Sequence, residues 1–388
     1  MNSRRAAAFA VARWIATHGH LSEMLPEGPE RAFVQDLAYV TVRRFRALRS
    51  VLGRFVERWP KGELEALLLV GAAQILYMPE VPDFAAVNET VSAAKSCPNR
   101  SIAKVVNGVL RNLIRHREEV EAYLKSAPLA ERESFPNGIV SRWIERYGVE
   151  AAERLCKWHN EPAETWLAFR PGAAEAFVRL ERGRKVADVD GYAEGAFIVQ
   201  DPATAGAVEL LDVKPGQSVL DFCAAPGGKT VQIAWRLGDC ADGRRLVAQE
   251  VNPARRRRLE ANLKRVGLDW VEPVAKVGDE MFDRVLADVP CSNTGVLRRR
   301  PDARWRWSRE RLEELVGLQR GILSAAAEHV VSGGVLVYST CSSEPEENAE
   351  QVAAFLADHS DFEEIGRRES VPFETGHDGA FACALRRK

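Results

Sequence analysis

The amino-terminal third of the chain carries apolar residues at helical spacing. Residues 64–78 are apolar on almost every side, which predicts a buried helix that ends at Pro79 and Pro82. Residues 101–117 predict another helix, because apolar positions recur there three or four residues apart. Those positions are Ile102, Val105, Val106, Val109, Leu110 and Leu113. Residues 1–125 show no alternating strand pattern, so we expect a helical domain.

The pattern changes after residue 125. Residues 126–165 predict a helical connector, and residues 166–205 predict short strands and a turn, because glycines interrupt short apolar pieces. Strands and helices then alternate. The strands are predicted at 218–222, 246–250, 284–287 and 335–339, and the helices begin near Lys229 and span 253–266 and 308–331, the last ending at Ser332-Gly333-Gly334. This alternation predicts an α/β fold with a doubly wound, Rossmann-like, mostly parallel sheet, which binds ligands at the carboxyl ends of its strands.

The overall charge is close to zero and excludes two classes of protein. With 54 Lys and Arg residues against 55 Asp and Glu residues, the formal charge is −1, unlike a histone-like polycation or an acidic disordered chain. Charge is nevertheless uneven along the chain: the net is +5 over residues 1–130, +5 over residues 298–311 and −9 over residues 342–378. A neutral total therefore still allows a basic face that binds nucleic acid.

The most basic short segment interleaves arginine with tryptophan. Its members are Arg298, Arg299, Arg300, Arg304, Trp305, Arg306 and Trp307. Arginine contacts phosphate and aromatic rings stack on unpaired bases, so this arginine–tryptophan segment is a candidate RNA contact. The alternative is a solvated loop whose tryptophans pack into the core.

The amino terminus and the cysteines bear on the cellular compartment. Arg4 and Arg5 precede a short apolar stretch, as in a secretory signal, but Arg13 interrupts it, so we predict an amphipathic first helix. No run of about 18 apolar residues occurs, and the seven cysteines form no CxxC pair. We therefore expect a cytoplasmic protein without a membrane span, disulfide or metal site. Four cysteines are predicted to be buried apolar residues: Cys97, Cys156, Cys240 and Cys383.

One strand–turn–helix segment has the composition of a nucleotide site. Asp221 ends a predicted strand, residues 222–228 are mostly small, and a helix begins near Lys229. Small residues let a ligand approach the backbone, and the N–H groups at a helix start favour an anionic group. The ending GGKT is similar to a phosphate-binding P-loop, but that pattern needs glycine where Cys223 stands.

S-adenosylmethionine, a nucleoside with a carboxylate tail, is a second candidate ligand. It requires an acid at the end of the next strand to bind the ribose hydroxyls, and Glu250 occupies that position, 29 residues after Asp221. A glycine-rich turn without a ligand is the third possibility, which the presence of Glu250 disfavours.

Cys291 and Cys341 each follow a predicted strand, at the ligand edge of the sheet. Two thiols beside S-adenosylmethionine suit methylation of carbon 5 of a pyrimidine. Carbon 5 is a poor nucleophile until the ring is activated. Addition of a thiolate to carbon 6 activates carbon 5, and a base must then remove the carbon 5 proton so that the enzyme is released. Asp288 can stabilise such an adduct through a hydrogen bond to the ring.

These motifs together resemble a known family. DFCAAPGGKT at 221–230, DVPCS at 288–292 and STCSSEPEEN at 339–348 are similar to motifs of the RNA cytosine-C5 methyltransferases. The resemblance is closest to the Sun or Fmu branch, which methylates cytosine in 16S rRNA and has a NusB-like RNA-binding domain. NETV at 88–91, NGVLRN at 107–112, GAFIVQD at 195–201 and NTGVLRRRPDARW at 293–305 extend it over nearly the whole chain.

The resemblance implies a role for each matching residue. Cys341 would be the nucleophile, Cys291 would assist proton removal and release, and Asp288 would lie between cofactor and base. Glu250 would hold the ribose, and Asp279 is the candidate for an acid near the adenine. The loop that lines the cofactor would comprise Cys223, Ala224, Ala225, Pro226, Gly227, Gly228 and Lys229. DNA cytosine methyltransferases differ, because they use the cysteine of the PC motif as nucleophile.

The resemblance also implies an organisation and a reaction. We expect a NusB-like RNA-binding domain at 1–125, a connector with a reduced RNA-contacting subdomain at 126–205, and a Rossmann-like methyltransferase domain at 206–388. The expected protein is a monomer that uses S-adenosylmethionine to methylate a cytosine in ribosomal RNA. Transfer RNA is an alternative substrate. A non-catalytic RNA-binding or assembly protein and a P-loop nucleotidase are the competing functions.

Overall fold

The computed structural model describes residues 2–28, 30–238 and 244–388. Packing divides the chain into two compact units: Met1–Pro162 with Leu297–Ser308, and Ala163–Val296 with Arg309–Lys388. These bounds differ from the predicted divisions after residues 125 and 205. The predicted connector is split because its helices pack with the amino-terminal helices, whereas Ala168 and Ile198 from its strands join the core of the α/β unit.

The first unit is helical, as the sequence predicts. Its helices are α1 (Ser3–Thr17), α2 (Arg31–Arg43), α3 (Phe45–Leu52), α4 (Glu63–Tyr77), α5 (Asp83–Lys95), α6 (Ile102–Arg115), α7 (Arg117–Ser126), α8 (Leu129–Arg132), α9 (Asn137–Tyr147) and α10 (Val149–Asn160). Helix α4 is buried almost all round, which confirms the prediction for residues 64–78. The predicted stripe on α6 is buried except for Val105, which is 44% exposed because it lies at the edge of that stripe.

The arginine–tryptophan segment belongs to the first unit and is largely buried there. Arg304 is fully buried and donates to the carbonyl oxygens of Arg43, Ser134 and His159 and to Asn160 Oδ1. Arg43 and His159 lie in the last turns of α2 and α10, where carbonyl groups lack helical partners. Arg298 is also buried, and Arg300 is exposed. The prediction of RNA contact is therefore wrong for Arg298 and Arg304, because packing inside the unit occupies these side chains.

The second unit contains two sheets in the described residues. The small antiparallel sheet has the order β2-β1-β3, with β1 at Trp166–Phe169, β2 at Phe177–Arg179 and β3 at Phe197–Val199. The large sheet has seven strands in the order β6-β5-β4-β7-β8-β10-β9. Its strands are β4 (Ser218–Asp221), β5 (Arg245–Gln249), β6 (Glu272–Val274), β7 (Phe282–Asp288), β8 (Val330–Thr340), β9 (Phe362–Ser370) and β10 (Ala380–Arg387). Strands β4 to β8 are parallel and β10 is antiparallel to its neighbours, which confirms the predicted sheet.

Helices cover both faces of the large sheet. They are α11 (Ala205–Leu211), α12 (Gly228–Leu237), α13 (Pro253–Arg265), α14 (Arg309–Ala327), α15 (Ala349–Asp358) and α16 (Pro372–Thr375). Successive strand residues face opposite layers: Val219 packs with the layer of α11, α12 and α13, and Leu220 with that of α14 and α15. The doubly wound arrangement leaves the carboxyl ends of the parallel strands uncovered by these helix faces.

The predicted end of the long helix is wrong. Helix α14 ends at Ala327, and residues 332–334 lie within β8, where the pairing with β7 shifts register. Gly333 has a φ of +76°, which glycine tolerates, so the glycine pair permits an irregularity in the strand instead of separating helix from strand. Strands β6, β9 and β10 were not predicted.

The cysteines that do not lie at the ligand edge of the sheet were predicted to be buried apolar residues, and the structure confirms this for the three that it describes. Cys97, Cys156 and Cys383 are buried, and burial raises the pKa of Cys156 to about 12. Cys240 lies outside the described residues. Among the helices of the described ranges, none is both long and apolar enough to cross a membrane.

Candidate functional site

Four predicted residues lie on one edge of the large sheet. Asp221 ends β4, Glu250 follows β5, Asp288 ends β7 and Cys341 follows β8. The four strands are parallel and adjacent in the order β5-β4-β7-β8. Because parallel neighbours end at the same edge, residues far apart in the sequence meet there.

The loop after β4 is held against the neighbouring strand and helix. Ala224 N donates to Gln249 O at 2.9 Å, and Asn262 Nδ2 on α13 donates to Pro226 O at 2.7 Å. Gly227 closes the loop with a φ of +108°, and a Cβ atom there would lie 2.8 Å from Leu259 Cδ1. The backbone angle is the reason that glycine is required at this position, since the Leu259 methyl group lies at the end of a flexible side chain.

Asp221 lies buried beneath this loop. Thr230 Oγ1 donates to its Oδ2 at 2.7 Å, whereas its Oδ1 is buried without a hydrogen-bond partner among the described residues. Burial raises the pKa of Asp221 to about 7. An unpaired buried oxygen of this kind is the group that a polar ligand or water satisfies.

Glu250 presents a buried carboxylate at the end of β5. Its Oε1 accepts the backbone N–H of Asn252 at 2.8 Å, and its Oε2 lies 3.3 Å from Arg255 Nε. Arg255 also donates to Ala225 O at 3.1 Å, so the same side chain contacts the acid and the loop. Arg255 therefore connects the acid to the loop, and the role of Glu250 in binding ribose stays a prediction.

A lysine–aspartate pair connects the start of α12 to β7. Lys229 Nζ donates to Asp288 Oδ2 at 2.7 Å, and Ser339 Oγ donates to Asp288 Oδ1. Burial alone lowers the pKa of Lys229, but Asp288, Cys341 and Asp221 outweigh it, so the pKa is raised. Lys229 is therefore an ammonium cation at neutral pH, next to the acid and to Cys341.

The two cysteines are in direct contact. Cys291 Sγ lies 3.2 Å from Cys341 Sγ, and Cys341 Sγ lies 3.4 Å from Asn293 Oδ1. The hydrogen bond with Cys341, together with burial, holds the pKa of the Cys291 thiol well above its ordinary value. Cys291 therefore keeps its proton at neutral pH, and the Cys341 thiol donates to Asn293 Oδ1. Cys341 is half-buried, whereas Cys291 is only 8% exposed.

Close backbone packing supports the loops that carry the cysteines. Gly295 N donates to Cys341 O at 3.0 Å, and Gly379 N donates to Gly295 O at 2.8 Å. A Cβ atom on Gly295 would lie 2.7 Å from Gly379 O and 2.8 Å from Cys341 O. Glycine is therefore required where the loop after Cys291 meets the turn at Cys341.

Asp279 is exposed in the loop between β6 and β7, three residues before β7 begins. The adjacent Glu280 pairs with Arg245 at the start of β5, and its carbonyl oxygen lies 2.8 Å from Nδ1 of His329, just before β8. Two residues before Asp279, Val277 N still donates to Gln249 Oε1 at the end of β5, and the role of Asp279 as a cofactor residue stays a prediction.

Some residues around the cysteines were missed by sequence reasoning. Ser339 binds Asp288, Asn293 contacts Cys341, and the buried Glu347 accepts hydrogen bonds from both cysteine loops. Ser339 and Glu347 lie within the STCSSEPEEN motif, which was the available signal. Their partners could not be predicted because they come from the other loop.

A cavity of about 240 Å³ opens beside Cys341. Lys229 and Ser339 line it near the sheet edge, and Arg368 and His377 line it farther along. Among the described residues that line this cavity, Cys341 is present and Cys291 is not. The more exposed cysteine is thus the one that a substrate in the cavity would meet.

The residues at this edge fit S-adenosylmethionine. The small residues of the loop leave its backbone accessible, and the first N–H groups of α12 lack helical acceptors, which suits a carboxylate. Glu250 suits ribose hydroxyls, and Asp221 Oδ1 offers an unused acceptor. Cys223 interrupts the phosphate cradle of a P-loop, and burial raises the pKa of its thiol to about 12, so this cysteine is unreactive.

Comparison with known proteins agrees with this arrangement. The family model described as 16S rRNA methyltransferase RsmB/F matches residues 208–381, and the NusB family model matches residues 1–115. The crystal structure of PH0851 is similar in fold, with a TM-score of 0.80 and 22% identity, covering 100% of this chain and 98% of that one.

Two curated relatives are similar over most of their length. Ribosomal RNA small subunit methyltransferase B from Serratia proteamaculans is 33% identical, covering 99% of this chain and 98% of the relative. The probable ribosomal RNA small subunit methyltransferase B from Synechocystis is 34% identical, covering 89% and 84%. The chain therefore belongs to the RsmB/F family of 16S rRNA methyltransferases.

Proposed function

We propose that this chain methylates carbon 5 of a cytosine in the RNA of the small ribosomal subunit. The observation that carries the proposal is the 3.2 Å approach of Cys291 Sγ to Cys341 Sγ, beside the Lys229–Asp288 pair. Two thiols and an acid at one edge suit covalent addition followed by proton removal. The similarity to ribosomal RNA small subunit methyltransferases B supports the substrate.

Cys341 is the proposed nucleophile, because it borders the cavity and is more exposed than Cys291. Its thiol gives up its proton to solvent, its sulfur forms a bond to carbon 6 of the cytosine, and the electron pair of the carbon 5–carbon 6 double bond makes carbon 5 nucleophilic. Carbon 5 would then take the methyl group from S-adenosylmethionine, and the electron pair of the broken methyl–sulfur bond would stay on the cofactor sulfur. Asp288, held by Lys229, stabilises the adduct by a hydrogen bond to the ring.

Cys291 is proposed to assist release. Bond formation at Cys341 removes the main cause of the raised pKa of Cys291, so this thiol can lose its proton to solvent. The Cys291 thiolate then takes the carbon 5 proton. The electron pair of that carbon–hydrogen bond restores the double bond, and the Cys341 sulfur leaves carbon 6.

The edge around the loop is the proposed cofactor site. S-adenosylmethionine supplies an electrophilic methyl group when it is bound there. Glu250 would hold the ribose hydroxyls, and Asp288 would lie between cofactor and base. The residues proposed to line the cofactor are Cys223, Ala224, Ala225, Pro226, Gly227, Gly228 and Lys229.

The rest of the chain is proposed to deliver RNA to this edge. Residues 1–125 would act as the RNA-binding domain, in keeping with the net charge of +5 over residues 1–130. Residues 126–205, which include the small sheet, would form a reduced RNA-contacting subdomain. Residues 206–388 would form the methyltransferase domain. The protein would act as a monomer in the cytoplasm.

Methyl transfer to defined RNA tests the proposal. Purified protein is incubated with S-adenosylmethionine and either small-subunit rRNA or tRNA, and 5-methylcytosine is mapped by bisulfite sequencing. We expect modification of rRNA, and its complete loss in Cys341→Ala with an unchanged circular dichroism spectrum. Full turnover by Cys341→Ala contradicts the mechanism. Modification of tRNA alone assigns the alternative substrate, and no modification of either favours a non-catalytic RNA-binding protein.

A further inference from the structure

A buried carboxylate lies behind the two cysteines. Glu347 is fully buried, and its Oε1 accepts Ser292 N at 2.8 Å and Gln319 Nε2 at 2.8 Å. Its Oε2 accepts the hydroxyl groups of Ser292 and Ser342. These partners are neutral donors, so a network of hydrogen bonds stabilises the carboxylate.

The donors come from both cysteine loops. Ser292 directly follows Cys291, and Ser342 directly follows Cys341. The Ser292 and Ser342 hydroxyl oxygens lie 3.1 Å apart. One carboxylate group therefore connects the first residue after each cysteine, although the two loops leave different strands, β7 and β8.

Glu347 is itself held in place by buried groups. Tyr338 Oη donates to Glu347 O at 2.6 Å, and Gln319 Nε2 also donates to Pro290 O at 3.0 Å. Tyr338 and Gln319 are fully buried, on β8 and α14. The carboxylate is thus fixed relative to the sheet, and its hydrogen bonds to Ser292 and Ser342 restrain the two loops.

We propose that Glu347 is a positioning residue, which sets the contact of Cys291 with Cys341 by holding Ser292 and Ser342 on one carboxylate group. This inference rests on the proposed function, since it concerns the geometry of the reacting thiols. The bonds from Gly295 N to Cys341 O and from Ser343 N to Thr294 Oγ1 also join the loops, and loss of the carboxylate removes the hydrogen bonds that hold the residues next to both cysteines. A displacement of about 1 Å at reacting groups lowers rates by about 100-fold.

Three variants of the carboxylate network separate positioning from folding. We expect Glu347→Ala to lower kcat by about 100-fold with unchanged KM values for RNA and S-adenosylmethionine. Glu347→Gln should recover most of this loss, because its amide oxygen still accepts Ser292 N and its amide group can donate to hydroxyls that rotate. Ser342→Ala removes one hydrogen-bond donor to the carboxylate and should lower kcat about tenfold. If Glu347→Ala does not fold, this milder variant still tests the inference.

Gln351→Ala is the matched control. Gln351 is buried on α15, and its Nε2 donates to Val316 O at 2.9 Å on α14, away from both cysteine loops. This variant should lose stability and keep kcat. A second readout uses Cys291→Ala, in which the contact between the thiols is already absent, so adding Glu347→Ala should leave the rate of covalent RNA adduct formation unchanged.

The outcomes separate the inference from the function on which it rests. A selective fall in kcat with rescue by Glu347→Gln supports positioning. An unchanged kcat in Glu347→Ala and Ser342→Ala overturns it, as does a loss of activity that tracks thermal stability in the same way as Gln351→Ala. If the unaltered protein transfers no methyl group to RNA, the proposed function itself fails and takes the inference with it.

Discussion

Cys291 Sγ and Cys341 Sγ lie 3.2 Å apart although fifty positions separate them in the sequence. They meet because β7 and β8 are parallel neighbours that end at the same edge of the sheet. The two environments differ: Cys341 borders a cavity, whereas Cys291 lies buried behind it and keeps its proton. This difference supports addition by one thiol and release by the other.

The first prediction concerns release. Cys291→Ala should accumulate a covalent protein–RNA complex, because Cys341 can still add to carbon 6 while the group that removes the carbon 5 proton is missing. The complex should appear as a slowly migrating band on a denaturing gel. The double variant Cys291→Ala/Cys341→Ala is the control and should give no band. Normal turnover by Cys291→Ala without a trapped complex would argue against this role.

The second prediction concerns the cofactor. Glu250→Ala should raise the Kd for S-adenosylmethionine by about 10- to 100-fold, since a hydrogen bond to a charged group contributes about 1.5–3 kcal/mol. Isothermal titration calorimetry measures this change. Glu260→Ala alters an exposed acid on the following helix, α13, and should leave the Kd unchanged. Equal affinity in wild type and Glu250→Ala would remove Glu250 from the cofactor site.

The third prediction concerns pH and Asp221. Burial raises its pKa from the ordinary value of 3.8 to about 7, so the folded protein holds a proton that the unfolded chain releases. This contribution to the free energy of unfolding is present below about pH 4 and is lost as pH rises toward 7, with a slope of at most about 1.4 kcal/mol per pH unit.

Asp221→Asn removes this titration while keeping an oxygen that can accept from Thr230. Relative to wild type, the Tm of Asp221→Asn should therefore rise progressively across this pH window, as measured by thermal unfolding. Asp212→Asn is the control, because the hydrogen bond to Lys214 lowers the pKa of this exposed acid. A Tm difference that does not vary with pH would show that Asp221 does not titrate in this range.

The fourth prediction concerns the first unit. Arg304→Ala should lower the free energy of unfolding by about 3 kcal/mol or more, because it leaves buried carbonyl oxygens of Arg43, Ser134 and His159 without a donor. Thermal unfolding followed by circular dichroism measures the loss. Arg300→Ala, at an exposed position of the same segment, should change stability by less than about 0.5 kcal/mol. Equal effects of the two variants would contradict the structural role of Arg304.

Much of the fold follows from local pattern. The buried helix α4 and the alternation around β4, β5, β7 and α13 were predictable because hydrophobic periodicity reports burial directly. Strand β9 was not, since it is an edge strand with only Phe362 buried and therefore carries no apolar run. Gly333 and Gly334 were predicted to end a helix, because glycine is common at helix ends, but they lie within β8.

The sequence by itself determined which side chains stand at the ends of strands, and so it identified Cys291, Cys341, Glu250 and Asp288 through motifs that are contiguous in the chain. Only the tertiary structure decided which of these groups touch. It joined Cys291 to Cys341 and linked both loops through Glu347. The physical reason is that such contacts depend on strand order and loop paths, which local periodicity does not encode.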